Sequence, residues 1–171
     1  MSQATSAFLK GQYGIKQAMA PDAAASDATL VIDGYENFYI KAKSFPDPNS
    51  GIPANIEVPM PLGNKSYKVS QAQTAFTGSA TFIETEKGDV QNMFDEIKFN
   101  TGGYFDAWIY TGTPDKYVMR KRIIGCFFEQ ASPATRDMQS NTELLQLEGE
   151  LTGNYFSEIE LGNVDTLEGG F

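Results

Sequence analysis

Apolar and polar residues alternate through much of this chain, and a period of two marks a strand with one face turned inward. In TAFTGSATFIET, Phe76, Ala80 and Phe82 fall on one side and Thr77, Ser79 and Thr81 on the other. LLQLEGELTGNYFSEIEL, Leu144 to Leu161, repeats the pattern: Leu145, Leu147 and Leu151 share a face, and Gln146, Glu148 and Glu150 share its opposite. SYKVSQAQ, YFDAWIYTG and YVMRKRIIGCFFEQ read as further strands, separated by turn residues such as Thr113-Pro114-Asp115 and Ser132-Pro133. One segment carries the helical period instead. In GDVQNMFDEIKFNTGG, Val90, Met93, Phe94 and Ile97 recur at i, i+3, i+4 and i+7, Asp89 can cap the first turn, and Gly102 and Gly103 provide the stop.

The first third is less regular. Residues 1–27 are rich in Ala, Ser, Gln and Gly without strand or helix periodicity, which predicts an extended arm. TLVIDGYENFYIKAKSF places two apolar runs around Asp33-Gly34, a dipeptide suited to a tight turn, so a first hairpin is expected there. From Phe45 to Asn64, prolines at 46, 48, 53, 59 and 61 remove backbone donors and favour a long extended loop over a central strand. The expected fold is mainly β: a single-domain β-sandwich or barrel over 1–171 with one flanking α-helix at about residues 89–99. Around it lie the N-terminal arm (1–27), the Pro-rich loop (45–64) and acidic C-terminal strands and tail (137–171).

Charge changes this picture. The formal net charge is -9, which disfavours a phosphate-gripping surface. The imbalance is regional: beyond Arg136 there is no Lys or Arg, while Glu143, Glu148, Glu150, Glu158, Glu160, Asp165 and Glu168 follow. The opening MSQATSAFLKGQYGIKQAMA lacks a basic leader, and Lys10 and Lys16 interrupt its apolar residues, so neither a signal peptide nor a membrane span is expected and synthesis in the cytoplasm is. Cys126 is the only cysteine and sits in apolar IIGCFF, the setting of an inert buried thiol.

Little catalytic chemistry is available. The chain has no His, which removes the commonest general base and zinc ligand, and it shows neither a phosphate-binding Gly-rich loop nor a nucleophile elbow. Glu84, Glu86, Asp89, Asp95, Glu96 and Asp106 cluster in sequence, but they fail calcium-loop spacing and nothing local would raise one carboxyl's pKa, so they read as a solvated face with a helix cap. No enzyme, metal or cofactor is expected. The Asn64-Lys65-Ser66 acceptor pattern reads as chance. Arg120-Lys121-Arg122 is the one dense basic run; it fits either a strand face paired with neighbouring acids or a contact between subunits, and Trp108 fits a core or a subunit-interface anchor.

From Lys65 onward the order of events is a SYKVSQAQ strand, the polar-faced TAFTGSATFIET strand, the GDVQNMFDEI helix, then YFDAWIYTG, RIIGCFFE and NTELLQLEGELTG. This order resembles the tail tube proteins of tailed bacteriophages and their relatives in secretion tubes. The resemblance implies a β-sandwich-like barrel with one flanking helix that assembles into stacked hexameric rings. Strands of each subunit would lie side by side around a channel, with a polar face toward the lumen. It implies a structural virion protein in the tail, an acidic-walled conduit for DNA, whose partners are further copies of itself, sheath, tape-measure and baseplate proteins and transiently passing DNA, with no membrane. The lumen-facing candidates are then Glu148, Glu150, Glu158 and Glu160, and the subunit-interface candidates Arg120, Arg122 and Trp108. A secretion-system inner tube would share the ring without DNA, and a small-ligand β-barrel would need an apolar cavity.

Overall fold

The computed structural model describes residues 5–49, 51 and 54–167; Pro53 and Glu168 lie outside them. The strands are β1 (Thr29–Ile32), β2 (Ala42–Ser44), β3 (Asn55–Pro59), β4 (Lys65–Val69), β5 (Ala75–Ile83), β6 (Phe105–Gly112), β7 (Tyr117–Gln130), β8 (Gln146–Asn154) and β9 (Ile159–Leu161). Two α-helices accompany them, α1 (Ser6–Ala18) and α2 (Asp89–Thr101). The main sheet runs β1-β6-β7-β8-β5-β2 with β9 also on β7, and β3-β4 form a separate ribbon. The fold is mainly β, its main sheet curling into a nearly closed barrel.

The curl originates in β7. Its first half lies between β6 and β9, and its second half pairs with β8. The register slips between Ile124 and Phe127, at Gly125, whose φ of 61° belongs to the left-handed region that glycine adopts without strain. Asp106 Oδ1 accepts a hydrogen bond from the Gly125 amide at 3.0 Å and so fixes the bulge. The bent strand wraps both halves around one core, in which Leu30, Phe82, Val90, Met93, Ile123 and Leu151 are fully buried.

α2 buries Val90, Met93 and Ile97, as its 3.6-residue period predicts. Phe94 joins the helix to the sheet, stacking on Phe128 of β7 at 4.9 Å and meeting Phe82 of β5 edge-on at 5.1 Å. The cap differs from expectation. Asp89 is the first helical residue, and the free amides of Val90 and Gln91 are taken by Glu84 at 3.0 Å each, while Thr85 Oγ1 accepts from Asp89 N at 3.0 Å. A carboxylate with two oxygens satisfies two amides that a short Asp side chain inside the turn does not reach.

Three expectations for the first third are corrected. Residues 6–18 of the arm form α1, capped by Thr5, whose Oγ1 accepts from Phe8 N at 3.3 Å. Asp33-Gly34 does make a tight turn, with Tyr35 N donating to Ile32 O at 3.1 Å, but the two strands beside it do not pair as a hairpin: β1 pairs with β6, a 3-10 helix follows at Glu36–Lys41, and β2 pairs with β5. Leu30, Val31 and Ile32 are all buried, so β1 needs a neighbour inside the sheet, which the polar β2 segment does not supply. The Pro-rich loop contains a strand, β3, which pairs with β4 in the SYKVSQAQ segment that follows, with Pro59 ending β3 and Pro61 opening a 3-10 turn, both at margins where a missing donor is harmless.

Cys126 is buried as expected, and burial first, then the negative charge of Asp106, push its thiol up to about 12. An unfolded thiol ionises near 8.5, so the stability from keeping it protonated is full below that pH and is lost as pH rises toward 12. The slope approaches about 1.4 kcal/mol per pH unit. Urea melts between pH 8 and 11 should therefore show the wild type losing stability relative to Cys126→Ala; parallel pH dependences would contradict a protonated buried thiol.

Candidate functional site

β5, β8 and the second half of β7 together present one largely polar face, interrupted by exposed Phe127 opposite Thr152. Cross-strand register places Thr81 beside Glu148, Ser79 beside Glu150 and Thr77 beside Thr152, the last two with hydroxyls 3.1 Å apart. On the other side of β8, Glu129 of β7 lies directly opposite Glu150. The inward side of the same strand is apolar, with Leu147 and Leu151 buried.

Glu129, Glu148 and Glu150 are exposed, and among the described residues none of them forms an ion pair. Like charges directly opposed across a ladder destabilise an isolated sheet. A folded domain with no further use for that face gains by replacing either acid, so the opposition points to a role outside subunit stability. Glu129 was missed from sequence. Its alternation with inward Phe128 was readable, but its position beside Glu150 depends on a pairing across distant chain segments.

The other acidic candidates lie elsewhere. Glu160 is on β9, directly across from Arg120 of β7; Arg120 Nε donates to its carboxylate at 2.7 Å, and Nη2 makes a second bond to the same oxygen. Glu158 precedes β9, and its carbonyl accepts from Arg122 N at 3.0 Å. The structure thus brings Glu148 and Glu150 together with Glu129, and separates Glu158 and Glu160 from them.

The basic run pairs with acids from several segments. Arg122 reaches Asp33 at 2.7 Å and Asp106 at 3.5 Å, and Lys121 reaches Asp47 at 3.0 Å. Trp108, half-buried on β6, lies under both guanidiniums, 4.0 Å from Arg120 and 4.8 Å from Arg122 to the ring centroid. Arg120, Arg122 and Trp108 therefore form one outward-facing cluster whose cations are already engaged within the subunit.

Two segments bury nothing against the domain. α1 has no buried residue, and Phe8, Leu9, Tyr13, Ile15 and Met19 are exposed. Every described position of β3 and β4 is exposed, including Ile56, Val58, Tyr67 and Val69. A lone helix of this length with Gly11 and Gly14 inside it is marginal in water, and so is a lone two-stranded ribbon. Both elements leave apolar side chains exposed in the described structure.

The described residues contain no grouping of His, Cys, Asp and Glu able to hold a metal, and no helix among them is long and apolar enough to cross a membrane. Of the acids that cluster in sequence around α2, Glu84 accepts from the α2 amides and Asp89 from the Thr85 hydroxyl at 2.9 Å.

No model of a known protein family matches the sequence, and no curated protein matches it. Solved structures do match. A chain of the sheath-tube complex of an extracellular contractile injection system, PVC, in its extended state is 14% identical with a TM-score of 0.60, over 86% of this chain and 97% of that one. A chain from the tube-terminating cap of the anti-feeding prophage is 16% identical with a TM-score of 0.61, over 84% of this chain and 94% of that one. A chain of the PVC sheath/tube terminator gives 16% identity and a TM-score of 0.59, over 84% and 99%. The likeness is one of fold: this chain is built like components of phage-tail-like injection particles.

Proposed function

We propose that this protein is a structural subunit that self-assembles into stacked hexameric rings, forming the inner tube of a phage tail with the Glu148 and Glu150 face turned to the channel. The observation that carries the reading is the run of unpaired carboxylates on the polar face of a sheet whose other side is core. An acidic wall does not bind duplex DNA, whose own charge is dense and negative, and so leaves it mobile. The protein acts without catalysis or cofactor, in a particle tail where sheath, tape-measure and baseplate proteins are its further partners. A secretion-type tube shares the ring and is favoured by the injection-system origin of the matching folds; DNA release separates the two.

α1 and the β3-β4 ribbon supply the contacts between copies and rings. Removing residues 1–20, or shortening the loop between Pro46 and Pro61, should leave a subunit that melts as the wild type does but no longer stacks. Negative-stain images of purified protein are the measurement: rings or tubes with a central hole for the wild type, and short or absent tubes for the deletions. A wild type that stays monomeric at millimolar concentration overturns the proposal.

A further inference from the structure

Lys121 lies on the side of its strand where apolar residues belong. Two residues before buried Ile123 and directly across from buried Ile109, it is on the inward side of β7, and its side chain is 17% exposed. An ammonium drawn that far from water needs partners. It has the Asp47 carboxylate at 3.0 Å, the Pro48 carbonyl at 3.3 Å and the ring of buried Tyr155 at 5.8 Å to the centroid. The two oxygens come from one short stretch, residues 45–48, which follows β2.

The same stretch is held at a second point. Gly78 alternates with buried Phe76, Ala80 and Phe82 on the inward side of β5, and a Cβ there would collide with the Cβ of Pro46, so the proline ring fills the space that glycine leaves open. Phe45 packs on the core and Pro48 is fully buried. Residues 45–48 therefore form a strap across the inner side of the sheet from β5 to β7, passing the end of β8 near Tyr155. Proline suits this position: with no N–H, Pro46 and Pro48 enter an apolar setting without stranding a donor, and Lys121 satisfies the Pro48 carbonyl. Asp47 is 75% exposed, so its ion pair alone holds little; the buried proline rings carry the attachment.

Beyond the strap the chain enters the β3-β4 ribbon, whose legs stay tied below the ladder: Ser70 N donates to Ala54 O at 3.2 Å and Gln73 N to Gly51 O at 2.8 Å. One leg comes from the strap. The other runs into β5 through Thr74, whose carbonyl accepts from Tyr155 N at 2.8 Å. Every described position of the ribbon itself is exposed, so its direction is set at these two roots. We propose that residues 45–48 are a latch, with Lys121 as its catch, that holds the ribbon in one direction in the free subunit, and that stacking of copies depends on this direction. A lever already in its docking pose avoids the ordering cost that a swinging one meets on association. The dependence of stacking on the latch rests on the tube reading; the latch itself belongs to the lone subunit.

The ribbon's direction and the stacking are measured separately. Spin labels on Leu62→Cys, at the ribbon tip, and Lys87→Cys, just before α2, report the distance from tip to domain by pulsed electron paramagnetic resonance on the unassembled chain; Cys126 is fully buried and stays unlabelled. Lys121→Met keeps the apolar stem and removes the ammonium, so the subunit should melt no lower than the wild type. Gly78→Ala displaces Pro46 and releases the strap from β5. The wild type should give one narrow distance distribution and each variant a broad one, and the unlabelled variants should need roughly tenfold or more protein to form tubes. Distributions that stay narrow in both variants, or one already broad in the wild type, overturn the latch. Broad distributions with tubes forming at the wild-type concentration overturn the dependence of stacking on it. A wild type that forms no tubes overturns the tube reading, while the distances still decide the latch.

Discussion

Phe82→Ala should lower the stability of the isolated subunit by about 3–5 kcal/mol, the largest effect expected of a single core truncation here. Phe82 is 2% exposed and meets the rings of Phe94 at 5.1 Å and Phe128 at 5.2 Å, both edge-on. Its loss removes apolar burial and two aromatic contacts at the point where β5, α2 and β7 converge, leaving a cavity that a helix and a sheet cannot both close. The melting temperature should fall by roughly 6 to 20 °C for a chain of this size. Denaturant midpoints with unchanged slope would report the same loss. A loss below about 1 kcal/mol, far under the core-truncation range, would show that α2 is not seated on this sheet as described.

Replacing both Glu148 and Glu150 by Lys should stall DNA release from assembled particles, while replacing both by Gln should leave tubes and release intact. A ring repeats each charge around the wall, and at physiological salt a screening length of about 8 Å lets that field reach a duplex confined beside it. Reversal turns a repelling wall into one that grips phosphate, and rising salt should relieve the stall because that grip weakens steeply with ionic strength. The Gln variant also removes the like-charge opposition of Glu150 and Glu129, so the subunit should be no less stable. DNA release and tail length are scored in the same preparation. Normal release from the Lys variant would place the face away from DNA, and shortened tails in the Gln variant would place it at a subunit contact.

What was legible in the sequence is what depends on local period. The alternation in β5 and β8 gave the buried Phe76, Ala80, Phe82, Leu147 and Leu151, and the 3.6 period gave the buried side of α2. Partners were not legible, because pairing joins segments far apart in the chain. Glu160 looked unbalanced beside its neighbours in sequence, yet Arg120 lies directly across from it; Glu129 looked unremarkable, yet it faces Glu150. α1 was hidden because Gly11 and Gly14 interrupt the spacing between Phe8 and Ile15, and its helical state depends on capping by Thr5 more than on an apolar stripe. The prolines between 45 and 64 exclude a central strand but leave room for β3, one strand of a solvent-exposed ribbon whose ladder needs only one side.

The channel-facing position of Glu148 and Glu150 is the centre of the account, and a helical reconstruction of the assembled protein by electron cryomicroscopy tests it most directly. The expected map is a hollow tube of stacked rings with β8 running along the inner wall and both carboxylates pointing into the lumen. A filament without a channel, or a tube that carries the Glu148 and Glu150 face on its outer surface, would contradict it.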